Sequence, residues 1–245
     1  SRNLLAIIND ILDFSKIESG KMEIFEHEYR LGEVLNDVIT MIEIKAAKKG
    51  LAFEVTVDSN LPACLYGDDN RIKQIMINLL NNAVKYTAKG TVRLRVTGRD
   101  NREQQKVLLQ IAVEDTGIGI KEKDIDGLFQ GFQRLDLEKN RNIEGTGLGL
   151  AITHDLATMM NGRVDVKSTY GVGSVFTFSL EQKAVGHEII GDFEAGYRKA
   201  QTTGHSYRNT FTAPDAKVLV VDDNEMNLLV VRKLLEKTGV QLTQA

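Results

Sequence analysis

Two pairs of alternating segments constrain the fold of this chain more than any other feature. Residues 91–97 (TVRLRVT) and 107–115 (VLLQIAVED) place apolar side chains at every second position, on either side of the polar segment 98–106. Residues 163–168 and 174–180 repeat this arrangement around a glycine-containing turn, 170–173. Alternation with a period of two predicts strands that bury one face, and the short connections predict antiparallel neighbours.

Helical segments flank these strands, and their apolar faces can cover the apolar face of the sheet. A further alternating segment, 51–57, predicts another strand. Together the pattern predicts an α+β domain, an α/β sandwich whose mixed, mostly antiparallel sheet carries helices on one face. The predicted helices are 31–48, ended by Gly50, 70–86, capped by Asp68 or Asp69, and 148–160, ended by Asn161 and Gly162.

The bulk composition excludes few functions and favours an ordinary soluble protein. The chain has 245 residues, 42% hydrophobic and 27% charged, with a net charge of −3. This balance gives no sign of a nucleic-acid or membrane-surface partner. Cys64 is the only cysteine, which fits a reducing compartment, and no apolar run is long enough for a membrane span. We therefore expect a soluble, cytoplasmic chain, whose parent protein could be anchored to a membrane through a segment outside this sequence.

Polar residues gather on one face of the helix predicted at 70–86. Asn78, Asn82, Lys85 and Tyr86 follow one another at helical spacing, whereas Leu79, Leu80, Ala83 and Val84 fall on the opposite side. A protein core does not favour two amides, a cation and a phenol together. An exposed polar face is the alternative to a binding site here.

Two glycine-containing motifs complete the set of candidate binding elements. The motif 115-DTGIGI-120 follows a strand, and its glycines permit close approach of a flat ligand, although an Asp-Gly turn alone would look the same. The motif 145-GTGLGLA-151 opens a helix, where backbone N–H groups can hold phosphate. It has neither the Lys-Ser/Thr of a Walker A motif nor the Rossmann glycine spacing.

In this order the three elements resemble the N, G1 and G2 boxes of the sensor histidine kinase ATP-binding domain, in the GHKL superfamily. The resemblance spans about residues 21–182 and implies a Bergerat-type ATP-binding fold. Phe129 and Phe132 resemble its F box and mobile lid, and 171-GVGSVFTFSL-180 is similar to its closing hairpin.

The resemblance implies a role for each matching residue. Asn82 would give an oxygen to Mg²⁺ with Asn78 close by, Lys85 would meet the phosphates, Tyr86 would cover the adenine, and Asp115 would accept from its amino group. The other residues expected to contact ATP are Gly117, Gly119, Ile120, Gly145, Thr146, Gly147, Leu148, Gly149, Leu150 and Thr177. Arg134, Lys139 and Arg141 lie in the lid-like segment, where phosphate binding and solvated surface charge are equally good interpretations.

Asn78 also separates a kinase from an ATPase. Water-activating GHKL ATPases place a glutamate four residues before the Mg²⁺ asparagine, and an amide cannot act as a general base. We therefore expect the catalytic part of a histidine kinase, with a non-transferring nucleotide-binding regulatory module as the alternative and a GHKL ATPase as a weaker one.

None of the four histidines fits the phosphate acceptor. His27 stands in 27-HEYR-30, which mimics the acceptor box, but it follows the segment that resembles the second dimerisation helix, and no Thr-Pro follows Arg30. His154 is expected in a helix, and His187 and His205 in a linker. The first dimerisation helix, which carries the acceptor histidine, is therefore expected outside this sequence. The dimerisation helices would make the parent protein a homodimer.

The last segment resembles the start of a response-regulator receiver domain, as in a hybrid histidine kinase. Asp222 and Asp223 would be half of a Mg²⁺ site, and the phosphorylated aspartate is expected beyond Ala245. The expected organisation is a partial dimerisation helix at 1–20, the ATP-binding domain at 21–182, a linker at 183–214, where the density of apolar residues falls, and a receiver fragment at 215–245.

Overall fold

The predicted hairpin at 91–115 forms the centre of the molecule's larger sheet. In the computed structural model, β4 (Thr91–Asn101) pairs antiparallel with β5 (Lys106–Asp115), in register from Val92↔Asp115 to Asn101↔Lys106. Alternate residues of both strands are buried, as their sequence pattern predicts. The ladder continues through most of the segment predicted as a loop at 98–106, so that boundary was wrong. Backbone pairing does not require apolar side chains, and the apolar pattern therefore ended before the strands did.

The structure describes residues 2–101, 105–125, 127–129, 147–202, 212–221, 231–232, 235 and 238–244. It divides the chain into two units, Ser1–Gly196 and Tyr197–Ala245.

Seven described strands make the sheet of the first unit, in the order β1-β3-β7-β5-β4-β2, with β6 also pairing with β7. Its described pairings are antiparallel except β2–β4. The predicted mixed, mostly antiparallel sheet is therefore confirmed. The other strands are β1 (His27–Arg30), β2 (Ala52–Val57), β3 (Cys64–Gly67), β6 (Arg163–Thr169) and β7 (Gly173–Ala184).

Three helices pack with this sheet at their predicted positions. They are α2 (Leu31–Lys49), α3 (Asp69–Tyr86) and α5 (Gly149–Met159). Gly50 ends α2 with a φ of 70°, and the Asp68 carboxylate caps α3 by accepting a hydrogen bond from the Arg71 N–H at 3.1 Å. Two short helices were not predicted, α4 (Glu122–Ile125) and α6 (Phe193–Thr202).

The first helix, α1 (Arg2–Glu18), leaves part of its apolar stripe uncovered. Ile8, Ile11 and Leu12 are 43%, 49% and 52% exposed. An exposed apolar stripe of this kind is what the partial dimerisation helix expected at 1–20 would turn toward a partner helix. Among the described residues, no helix combines the length and the apolar character that a bilayer span requires.

The start of the predicted linker lies along the edge of the sheet. The Ala63 N–H donates to the Glu188 carbonyl at 2.8 Å, and the Ile190 N–H donates to the Leu61 carbonyl at 2.7 Å. Low apolar density therefore did not mark a free segment here, because these contacts are made by the backbone.

The second unit contains a two-stranded parallel sheet of β8 (Lys217–Val220) and β9 (Gln241–Gln244). Leu219 and Val221 remain 63% and 71% exposed. The apolar residues of this sheet are poorly covered because two strands alone cannot bury them. Asp222 and Asp223 lie outside the described residues.

Candidate functional site

Helix α3 carries the predicted polar face and a buried apolar face. Ile75, Met76, Leu79 and Leu80 are at most 1% exposed. Asn78, Asn82, Lys85 and Tyr86 are half-buried on the other side. The apolar spacing therefore fixes the helix in one rotation, and that rotation leaves the four polar side chains accessible.

Asn78 joins α3 to the start of α5. Its amide nitrogen donates hydrogen bonds to the Gly149 carbonyl and to the Thr153 hydroxyl, the latter at 2.8 Å. Thr153 is only 1% exposed. A Cβ on Gly149 would lie 2.6 Å from the Asn78 Oδ1, so this close approach requires glycine. The N-terminal end of α5 is thus held against the polar face of α3.

The N-terminal end of α5 is where the sequence predicts phosphate binding. Gly147 has a φ of 76°, and Leu148, at the N-cap, gives no side-chain cap. The first N–H groups of a helix have no partner within it and carry partial positive charge. Leu150 is half-buried in the first turn. The predicted residues Gly145 and Thr146 lie outside the described residues, as do Phe132, Arg134, Lys139 and Arg141.

The other end of α3 meets the loop that follows β5. The Ile118 N–H donates to the Tyr86 carbonyl at 3.3 Å. A Cβ on Gly117 would lie 2.5 Å from that carbonyl oxygen. The Lys85 ammonium lies 4.8 Å from the centroid of the Tyr86 ring, a cation–π distance. The loop's glycines therefore allow it to lie directly against the C-terminal end of α3.

Asp115 lies at the start of the same loop and is 7% exposed. Burial raises the pKa of its carboxyl group, and hydrogen bonds from the Gly117 and Ser174 amides offset part of that rise. The Gly117 N–H donates to the Asp115 Oδ1 at 2.8 Å. The carboxyl group is therefore fixed by the backbone of its own loop.

Thr177 is the described residue of the predicted set that does not join the others. It lies in β7 opposite Ala112, whereas Asp115 pairs with Ser174. Successive side chains of a strand point to opposite faces, and Thr177 is three residues from Ser174. Thr177 therefore faces the opposite side of the sheet from Asp115. The resemblance placed Thr177 in the hairpin but did not specify which face of the sheet it lies on.

Lys49 is a residue near the site that the sequence did not single out. Its ammonium donates to the Val84 and Lys85 carbonyls at 2.7 and 2.8 Å, where α3 has no further turn to satisfy them. Partial burial lowers the pKa of Lys49. Lysines are common in the last turn of a helix. The only sequence signal for Lys49 was therefore its position directly before Gly50, where α2 ends.

Of the histidines considered in the sequence, His27 lies in a strand and His154 in a helix, whereas His205 lies outside the described residues. His27 lies exposed in β1, with its Nε2 3.2 Å from the Asp69 carboxylate. His154 lies exposed on α5, beside Asp155. Within the described part of the chain, no group of three or more His, Cys, Asp and Glu side chains could hold a metal ion.

Comparison with known proteins agrees with this architecture. Residues 67–184 match the model of the histidine kinase-, DNA gyrase B- and HSP90-like ATPase family. The chain is 42% identical over 177 residues to the hybrid signal transduction histidine kinase B of Dictyostelium discoideum, covering 72% of this chain and 9% of that protein. It is 34% identical over 253 residues to the sensory/regulatory protein RpfC of Xanthomonas campestris pv. campestris, covering 98% of this chain and 35% of that protein.

A solved structure supports the same relationship. Full-length ShkA in complex with AMPPNP superposes with a TM-score of 0.65 at 26% identity, covering 99% of this chain and 45% of that one. The chain spans about a third or less of the length of these two curated relatives. Over residues 67–184 it therefore carries a domain of the histidine kinase-, DNA gyrase B- and HSP90-like ATPase family, in the form found in hybrid sensor histidine kinases.

Proposed function

We propose that this chain binds ATP with Mg²⁺ on the polar face of α3 and presents the γ-phosphate to a histidine, as the catalytic part of a hybrid sensor histidine kinase. One observation carries the proposal. Helix α3 contacts the loop after β5 at its C-terminal end and the start of α5 at Asn78. Three elements that are separate in the sequence thus border one surface.

The two ends of this surface suit the two ends of ATP. Asp115 offers a fixed acceptor for an exocyclic amine, and the loop backbone at residues 117–119 lies beside it against the end of α3 that carries Tyr86. The uncapped start of α5 offers N–H groups to the phosphates.

Asn82 is the residue that fits a Mg²⁺ ligand best. No described residue hydrogen-bonds its side chain, in contrast to that of Asn78. Mg²⁺ is usually held by one or two protein oxygens together with phosphate oxygens and water, and a neutral amide oxygen suits that role. When bound, the ion would neutralise charge that develops on the phosphates.

The chain's own residues would then act by position and charge. Lys85 supplies a cation on the same face, and backbone N–H groups at the start of α5 stabilise negative charge on the transferred group. The amide of Asn78 has no basicity and is committed to α5, so no described group on this face is placed to activate water. Transfer to a histidine is therefore favoured over hydrolysis.

The partners proposed for this chain follow from its hybrid-kinase relatives. The acceptor histidine would belong to a dimerisation hairpin, of which α1 is one helix, in a homodimeric parent. Phosphate would then pass to a receiver domain. A net charge of −3 supports no nucleic-acid partner, and we propose a cytoplasmic location for this part of the protein.

Isothermal titration of the chain with AMPPNP, with and without Mg²⁺, tests the binding step. We expect saturable one-site binding that Asn82→Ala weakens; no binding, or binding that Asn82→Ala leaves unchanged, would contradict the proposal.

Incubation with γ-labelled ATP and a dimerisation hairpin carrying a histidine tests the transfer step. Labelling of the hairpin supports a kinase. Binding without labelling would favour the non-transferring regulatory module, and rapid phosphate release without the hairpin would favour an ATPase.

A further inference from the structure

The hydroxyl group of Ser168, in the closing hairpin formed by β6 and β7, makes three hydrogen bonds, one to the loop after β5 and two within the hairpin. It accepts a hydrogen bond from the Ile120 N–H at 2.8 Å, across 48 residues of sequence. It donates to the Gly173 carbonyl at 2.9 Å, and it lies 2.9 Å from the Ser174 hydroxyl, which can donate to it. A serine hydroxyl has one proton and two lone pairs, so these three contacts fill it.

The turn of the same hairpin closes around the loop. The Gly171 N–H donates to the Ile118 carbonyl at 2.8 Å. Gly119 has a φ of 64°, and a Cβ there would overlap the Thr169 carbonyl. The hairpin therefore supports the loop from the side away from the end of α3.

The hairpin also reaches Asp115. Ser168, Ser174 and Asp115 occupy matching register positions on β6, β7 and β5. Ser174 pairs with Asp115 in the β5–β7 ladder, and its backbone amide lowers the pKa of the Asp115 carboxyl group. One end of the loop is thus fixed through Asp115, and the other through Ile120.

From this geometry we infer that Ser168 is a positioning residue for nucleotide binding, because it fixes the Ile120 amide and so sets where the backbone of residues 117–120 faces the base. The inference rests on the proposed function. Gly117 and Gly119 restrict the backbone of this loop little. The hydrogen bond from the Ile120 N–H to Ser168 therefore contributes strongly to holding the loop in one conformation. Ser168 touches no nucleotide in this role and acts through the loop.

Three variants of the full chain separate this role from general support of the hairpin. Ser168→Ala removes the bond to Ile120, and Ser168→Thr keeps a hydroxyl on an edge strand that tolerates β-branched residues. Ser179→Ala removes another hydroxyl of the same hairpin, which contacts Gln110 and not the loop. Titrations with ADP and with GDP give the dissociation constants. Hydrogen exchange followed by NMR reports the Ile120 amide directly.

We expect Ser168→Ala to weaken ADP binding by roughly 5- to 15-fold, the loss of one half-buried hydrogen bond, and to weaken GDP binding less. The Ile120 amide should exchange faster in this variant alone. Ser168→Thr should restore both, and Ser179→Ala should change ADP affinity by about twofold or less. Because titration gives the stoichiometry separately from the affinity, a partly unfolded variant lowers the former and leaves the ADP-to-GDP ratio readable.

The inference is overturned if Ser168→Ala binds ADP as tightly as the unmodified chain, if it lowers ADP and GDP affinity equally, or if Ser179→Ala has the same effect as Ser168→Ala. Failure of the proposed function looks different, because the unmodified chain would then bind no ADP.

Discussion

The polar face of α3 carries Asn82, and the strand β8 precedes Asp222 and Asp223 in the sequence. All three residues were predicted as Mg²⁺ ligands, but the surroundings of α3 and of β8 differ. Around α3, a loop that follows β5 and the start of α5 make direct hydrogen bonds to the helix. Strand β8 pairs with β9 alone in the described part of the second unit, and Leu219 stays 63% exposed. A motif supplies the residue types of a site, whereas converging elements supply its geometry.

The largest effect should distinguish these two regions directly. Asn82→Ala should weaken AMPPNP·Mg²⁺ binding by roughly 10- to 100-fold, the usual cost of losing one polar contact to a charged group. Asp222→Ala and Asp223→Ala, in the same chain, should leave that affinity within about twofold. Titration calorimetry measures all three, and an equal loss in the aspartate variants would show that the effect of Asn82→Ala is not specific to the polar face of α3.

A second test concerns the close approach of α5 to α3. In Gly149→Ala the added methyl group meets the Asn78 amide, and we expect a loss of about 1–3 kcal/mol in the free energy of unfolding together with weaker nucleotide binding. Gly196→Ala is the matched control, because a Cβ there meets nothing within 4 Å and alanine favours a helix. Urea unfolding followed by circular dichroism compares them. If Gly149→Ala is as harmless as Gly196→Ala, the contact is looser than the structure indicates.

The role of Asn78 can be separated from that of Asn82 by the metal. Asn78→Asp keeps the shape of the side chain but has no N–H to give to Gly149 and Thr153. Leaving those acceptors unpaired should weaken ADP binding by about tenfold both with Mg²⁺ and in EDTA. The effect of Asn82→Ala should require Mg²⁺. A loss in Asn78→Asp that appears only with Mg²⁺ would instead make Asn78 a metal ligand.

The smallest effect is expected at the C-terminal end of α3. Lys49→Met keeps the apolar stem but removes the ammonium that bonds the Val84 and Lys85 carbonyls, which should cost about 1 kcal/mol of stability. Lys48→Met, on the exposed side of the same turn, should change it by less than about 0.5 kcal/mol. Thermal denaturation resolves this difference, and equal midpoints would show that Lys49 does not support α3.

Most of the fold was predictable because its signals are local. The apolar periodicity of 70–86 predicted α3 and its buried side, and the alternation at 91–97 and 107–115 predicted the central hairpin. The short strands β1 and β3 were harder, because four residues carry too little pattern. Residues 184–191 were interpreted as part of a linker because the density of apolar residues falls across 183–214. Their contacts are made by backbone hydrogen bonds, which side-chain hydrophobicity does not reveal.

The candidate site was predicted in part, and its residues show why. Asn78, Asp115 and Gly149 were identified from motifs, but Asn78 was expected beside the metal, and its bonds to α5 were not foreseen. Thr177 was expected at the nucleotide and instead faces the other side of the sheet from Asp115. Lys49, Thr153 and Ser168 belong to no motif, and their contacts carried no sequence signal.

The sequence by itself determined which residue types lie on each helix face and where glycine permits close approach, because these depend on spacing along a few turns of chain. Only the tertiary structure decided which of these residues meet. The Asn78–Gly149 contact joins residues 71 positions apart, and the Ile120–Ser168 bond joins residues 48 apart. Such pairs depend on how the hairpins and helices pack, since a buried hydrogen bond forms only where both partners are already held in place.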